Sequence, residues 1–132
     1  MESKIKIIIV DDHQMFREGM KLLIEMEEIG EVIAEAENGL IFLDLLTNLH
    51  PDLVLMDIEM PVMDGLTATQ KALSIRPDLK ILALSMLYEK ENYAGMIRAG
   101  VMGFVMKTSG KRELEKAIKS VIGGESYFSK EL

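Results

Sequence analysis

Five short runs of β-branched and aliphatic residues recur along the chain, each followed within a few residues by an amphipathic helical pattern. The first, Ile5 to Val10, is apolar except at Lys6, as expected of a strand covered on both faces. Phe16, Met20, Leu23 and Ile24 then fall on one side of a helix beginning at Gln14. "EVIAEA" and a helix through Leu40, Leu43 and Leu46 repeat the cycle, and Pro51 closes it by holding His50 out of helical geometry. Leu53 to Asp57 leads into a helix running to about Arg76, and Lys80 to Ser85 into one from Glu89 to Ala99, where Gly100 supplies a C-terminal stop. "GFVMK" precedes a last helix with Leu114, Ile118, Val121 and Ile122 inward and Ser109 as its candidate N-cap. Right-handed helical crossovers between such strands leave essentially one arrangement, a parallel sheet with helices on both faces. The expected fold class is α/β, a doubly wound five-stranded parallel sheet.

At 132 residues the chain is the size of one ordinary domain. With 48% hydrophobic and 28% charged residues its balance is that of a globular protein, and its apolar runs are far too short for a bilayer. The opening "MESK" leads straight into a strand pattern, so no signal peptide is read and a cytoplasmic location is expected. Without cysteine, neither disulfides nor thiolate metal sites are available. A net charge of −7 argues against a grip on a phosphate backbone by this segment, so any contact with DNA is expected from a domain outside it. The eleven methionines are read as core filler. The tail "GGESYFSKEL" is glycine-led and non-periodic, which divides the chain into a domain over 1–122 and the start of a linker over 123–132.

Ligands of open parallel sheets bind beyond the carboxyl ends of the strands, where strand order reverses. Those ends carry Asp11 and Asp12, then Asp57, Ser85 and Lys107, whereas the second strand offers no matching group. In a flavodoxin-like order 2-1-3-4-5 the reversal falls between strands one and three, beside all three aspartates. One of a pair of aspartates can cap the following helix; capping does not explain two. Three carboxylates in one crevice bring a charge of about −3 and raise each other's pKa unless a cation compensates. Mg²⁺, a hard ion that takes one or two carboxylates together with phosphate oxygens, is the natural compensator, and Lys107 completes the neutralisation.

"VDD" after the first strand, "MDIEMPVMDG" around Asp57, "LS" closing the fourth strand and "GFVMK" at the fifth resemble the receiver domain of two-component response regulators. The resemblance runs from about Lys4 to Ile122. "LSM", "RAGVMGFVMK" and "AIKSVIGGESYFS" look most like the NarL/LuxR-type subgroup, whose receivers precede a DNA-binding helix-turn-helix domain. It implies a phosphorylation-activated switch rather than an enzyme, with Asp57 taking a phosphoryl group from a sensor histidine kinase. It implies Mg²⁺ held directly by Asp12 and Asp57, through the backbone carbonyl of Glu59, and by Asp11 largely through water. Lys107 and Ser85 match the groups that meet the phosphoryl oxygens, and Phe104 the switch aromatic that turns inward. The changed surface would be helix four, strand five and helix five, with homodimerisation on activation and control of transcription through an attached domain.

Two features depart from the family pattern. Thr108 follows the lysine where many receivers have a cis proline, which implies a turn rebuilt with a trans bond. Met86 replaces a small residue after Ser85 and is expected to narrow the path of water to an acyl phosphate, with Glu59 and Leu87 at further tuning positions. His13, in the helix-start turn, and His50, in a proline-terminated loop, are not read as phosphoryl carriers. The alternatives are a stand-alone receiver acting on a protein partner and an aspartate-nucleophile phosphatase of the haloacid dehalogenase type. The latter is disfavoured because Glu59 fits its second acid only loosely and the short loops leave no room for a cap.

Overall fold

The structure, a computed structural model, describes residues 4–128. Its elements alternate as the hydrophobic runs require: β1 (Lys6–Val10), α1 (Gln14–Met26), β2 (Glu31–Ala36), α2 (Gly39–Leu45), β3 (Leu53–Asp57), α3 (Gly65–Ile75), β4 (Ile81–Ser85), α4 (Lys90–Ala99), β5 (Gly103–Met106), α5 (Lys111–Ile122) and β6 (Tyr127–Phe128). All strand pairs are parallel, in the order β2-β1-β3-β4-β5-β6. The expected 2-1-3-4-5 sheet is present, extended by one short strand.

Period-two alternation splits each central strand between two cores. Ile8, Val10, Val54, Met56, Ile81, Ala83 and Phe104 face one side and pack with Phe42, Ala68, Ala72 and Met96 of α2, α3 and α4. Ile7, Ile9, Leu53, Leu55, Leu82, Leu84 and Val105 face the other and pack with Met20, Ile24, Leu114, Ile118 and Val121 of α1 and α5. The apolar positions singled out on the first and last helices are therefore their inner faces.

Four local expectations change. α2 ends at Leu45, well before Pro51, because the guanidinium of Arg76 donates to the carbonyls of Leu46 and Leu49 and closes the chain into a turn. Ser109 caps nothing: it lies in a 3₁₀ turn, Lys107–Ser109, and the residue preceding α5 is Gly110. Neither aspartate of the pair is a helix cap, since His13 occupies that position in α1. The expected linker is partly sheet, as Tyr127 and Phe128 pair with Gly103 and Phe104 while its last four residues lie outside the described ones. Gly100 ends α4 as anticipated, with φ +108, a conformation that strains any residue carrying a Cβ. The Lys107–Thr108 bond is trans, as the absence of proline implied.

Candidate functional site

Four strand ends converge on one rim of the sheet. Asp11 follows β1, its amide held by the Ala36 carbonyl of neighbouring β2 at 2.9 Å. Its Oδ1 accepts the His13 amide at 2.8 Å, a local turn that lifts the chain from strand to helix. The Arg17 guanidinium donates to the Asp11 carbonyl at 2.6 Å and to Glu35 at 3.0 Å, fixing this corner between α1 and β2. Asp57 ends β3, where α3 crowds it from behind. The Gly65 amide donates to the Ile58 carbonyl at 2.7 Å, and a Cβ at Gly65 would run into the Asp57 carbonyl. Asp64 caps α3 by accepting the Thr67 amide at 2.8 Å.

Lys107 reaches into this rim from the end of β5 almost wholly buried, its Nζ 2.5 Å from Asp11 Oδ2 and 3.4 Å from Asp57 Oδ1. The Phe16 ring lies beneath the ammonium, 4.5 Å from centroid to Nζ. Donor atoms of Asp11, Asp12, His13 and Asp57 all lie within 4.8 Å of one another. Asp57 Oδ2 is buried and has no hydrogen-bond partner, an arrangement that asks for a cation or an incoming group. Burial pushes the Asp57 carboxyl up to about 6; the Asp11 charge adds to this and Lys107 opposes it. Asp12 stands on the exposed lip. The acidic cluster thus fits a divalent metal site, with Asp11, Asp12 and Asp57 as the oxygen donors.

A crevice of about 230 Å³ opens above these groups, walled by Asp12, His13, Asp57, Glu59, Ser85, Met86 and Leu87. Every expected site residue except Phe104 therefore lies in the cluster or around its mouth. Ser85 is buried at the end of β4, and its hydroxyl donates to the Leu87 carbonyl at 2.6 Å. Phe104 already lies inside, fully buried and edge-on to Tyr93 at 5.0 Å. The resemblance pairs an inward aromatic with a hydroxyl engaged at the phosphoryl; here the ring is inward while the hydroxyl is held by its own loop. A phenylalanine has no hydroxyl to satisfy in water, so its inward position needs no trigger.

The sequence matches the family described as Response regulator receiver domain over residues 7–119. The chain is a response regulator receiver domain. This receiver is 39% identical over 96% of its length to the transcriptional regulatory protein DegU of Brevibacillus brevis, covering 54% of that protein. It is 36% identical over 97% of its length to the response regulator GacA of Pseudomonas aeruginosa, covering 60% of it. A LuxR-family two-component response regulator from Aurantimonas superposes with a TM-score of 0.92 at 31% identity, over 98% of this receiver and 92% of that chain. The receiver thus spans little more than half the length of these curated relatives, and its likeness is to the NarL/LuxR-type regulators. As a member of this family it is a phosphoacceptor of two-component signalling rather than an enzyme. Among the described residues no helix is long and apolar enough to cross a membrane.

Arg17 and Arg76 were not singled out in the sequence. Both act through bonds to backbone carbonyls, Arg17 to nearby Asp11 and Arg76 to Leu46 and Leu49 far back along the chain, and such bonds leave no periodic or spacing signal. His13, which the sequence does not mark as a phosphoryl carrier, stands within the acidic cluster.

Proposed function

We propose that Asp57 accepts a phosphoryl group from the phosphohistidine of a sensor histidine kinase and that this switches the receiver between two surface states. A carboxylate oxygen of Asp57 attacks phosphorus; the O–P bond forms as the N–P bond breaks, and the imidazole leaves with the electron pair. The observation that carries the reading is Asp57 Oδ2, buried and unpartnered between two further acids and the Lys107 ammonium.

Asp12 and Asp57 would hold Mg²⁺ directly, Glu59 by its backbone carbonyl and Asp11 largely through water, and the bound ion would offset the charge of the acids and the phosphoryl oxygens. Lys107 would pair with a phosphoryl oxygen, a shift of a few ångströms from its present place between Asp11 and Asp57. Ser85 would leave the Leu87 carbonyl to donate to another. Releasing that carbonyl frees the loop before α4, where Tyr88 stacks edge-on against Tyr93 at 5.6 Å and Tyr93 against Phe104. The α4, β5 and α5 surface is therefore where the change would be expressed. Met86 and Leu87, both exposed at the crevice mouth, and Glu59 would tune the lifetime of the acyl phosphate by controlling water.

The names of two relatives, a transcriptional regulatory protein and a response regulator, support transcriptional control, here exerted through an attached DNA-binding domain. Residues 1–122 would then be the receiver and 123–132 the start of the connection, with Tyr127 and Phe128 still paired to the receiver's sheet, and homodimerisation on activation and a cytoplasmic setting belong to the same proposal. A stand-alone receiver would share the same site chemistry. Incubation with acetyl phosphate and Mg²⁺ followed by intact mass tests the reaction class: one added phosphoryl group, absent with EDTA and absent in Asp57→Asn, is expected. Catalytic turnover of a generic phosphate ester would instead indicate a phosphatase.

A further inference from the structure

The guanidinium of Arg17 lies behind the two adjacent aspartates. Its Nη1 donates to the Asp11 carbonyl at 2.6 Å and its Nε to Glu35 of β2 at 3.0 Å. The side chain is only 15% exposed, so both bonds are largely shielded from water. On the other side of the same residue, the Asp11 amide donates to the Ala36 carbonyl at 2.9 Å. With amide and carbonyl both held, the backbone of Asp11 has one setting. The peptide that follows is planar, so the held oxygen also fixes where Asp12 leaves the strand. Asp12 depends on that support. The Asp11 carboxylate is tied down by the His13 amide and by Lys107. The exposed Asp12 carboxylate meets, among the described residues, only the His13 ring, at 3.3 Å, and that ring is itself more than half exposed.

We propose that Arg17 is a positioning residue for phosphorylation of Asp57: by pinning the Asp11–Asp12 peptide from behind, it aims the Asp12 carboxylate into the crevice. The inference rests on the reading of Asp57 as a Mg²⁺-dependent acceptor. A guanidinium suits the task because its rigid fork reaches two acceptors at once, whereas a lysine ammonium is a single point charge on a flexible stem. Glu35 anchors the far side of the fork, so α1 and β2 together clamp the end of β1. The sign of the effect separates positioning from charge. A cation near a Mg²⁺ site repels the ion, so on charge alone the loss of Arg17 would tighten Mg²⁺ binding. Loss of a support behind a metal-binding carboxylate weakens it instead, by about tenfold or more.

Arg17→Ala and Arg17→Lys are compared with the unsubstituted chain, with Arg76→Ala as the control that removes guanidinium bonds to carbonyls at the other end of the strands. Two readouts need no phosphorylation. In EDTA, hydrogen exchange of the His13 amide, which donates to Asp11 Oδ1, is expected to quicken in Arg17→Ala and not in Arg76→Ala. By calorimetry, Mg²⁺ affinity is expected to fall about tenfold in Arg17→Ala and less in Arg17→Lys, with Arg76→Ala close to the unsubstituted chain. In the third readout, labelling of Asp57 by acetyl phosphate should slow in Arg17→Ala at limiting Mg²⁺ and return close to the unsubstituted rate at saturating Mg²⁺. Unchanged or tighter Mg²⁺ binding in Arg17→Ala overturns the proposal. So does an equal loss in Arg76→Ala, which would make Arg17 a stabilising contact only, or a labelling rate that saturating Mg²⁺ does not restore. Asp12→Asn separates the two readings. If the unsubstituted chain is not labelled on Asp57, or Asp12→Asn leaves its Mg²⁺ affinity unchanged, the acceptor reading itself fails, whereas labelling and Mg²⁺ binding that depend on Asp12 but ignore Arg17 sink only the positioning role.

Discussion

Burial of Asp57 beside Asp11 makes its charged form costly, and that cost shows in the stability of the metal-free protein. A carboxyl raised from 3.8 to about 6 binds more protons in the folded chain than in the unfolded one between those values. Stability in EDTA therefore falls as pH rises from about 4 to 6 and stays lower above, by up to about 3 kcal/mol at 1.36 kcal/mol per pH unit. Asp57→Asn removes this titration, so its urea midpoint should exceed that of the unsubstituted chain at pH 7 and converge with it near pH 4. An equal pH profile for both would show that the acid is not strained. Lys107 has the complementary role: removing the ammonium by Lys107→Met leaves Asp11 and Asp57 facing each other without a cation, and should raise the Asp57 pKa further, observable by carboxyl carbon NMR.

At the scale of elements, the site depends on how helices abut strand ends. Gly65 lets α3 start directly against the Asp57 carbonyl, so Gly65→Ala should cost about 1 to 3 kcal/mol in denaturant unfolding and weaken Mg²⁺ binding by displacing Asp57. Arg76, at the end of α3, holds the carbonyls of Leu46 and Leu49 beyond α2. Arg76→Ala should cost about 1 to 3 kcal/mol by leaving part-buried acceptors unsatisfied, with Mg²⁺ affinity unchanged because the turn lies at the opposite end of the strands. The hydrophobic periodicity of the chain shows where α1 and α5 lie and which faces they bury, because Met20, Ile24, Leu114, Ile118 and Val121 repeat at helical spacing. It does not show where α2 stops, because a guanidinium distant in sequence decides that. Nor does it show β6, since a two-residue strand has no period and exists only because β5 presents an open edge to Tyr127 and Phe128.

For the whole molecule, strand order is what turns scattered residues into chemistry. Asp11, Asp12, Asp57, Ser85 and Lys107 were legible in the sequence because each stands at a strand end, and a parallel sheet brings such ends to one rim. The partners that set their detail were not: Arg17 behind Asp11, Phe16 beneath Lys107 and the Leu87 carbonyl holding Ser85 all depend on how elements pack. The aromatic contacts from Tyr88 through Tyr93 to Phe104 and Phe128 join the loop after β4 to the last strand, so phosphorylation should alter tyrosine fluorescence, which no tryptophan obscures here. The central claim is that one acid of the three is the acceptor. Borohydride reduces an aspartyl phosphate to homoserine, so acetyl phosphate and Mg²⁺ treatment, reduction and peptide mass mapping identify the labelled position. Homoserine at residue 57 alone is the expected result; homoserine at residue 11 or 12, or a phosphorylated chain with none at 57, would contradict it.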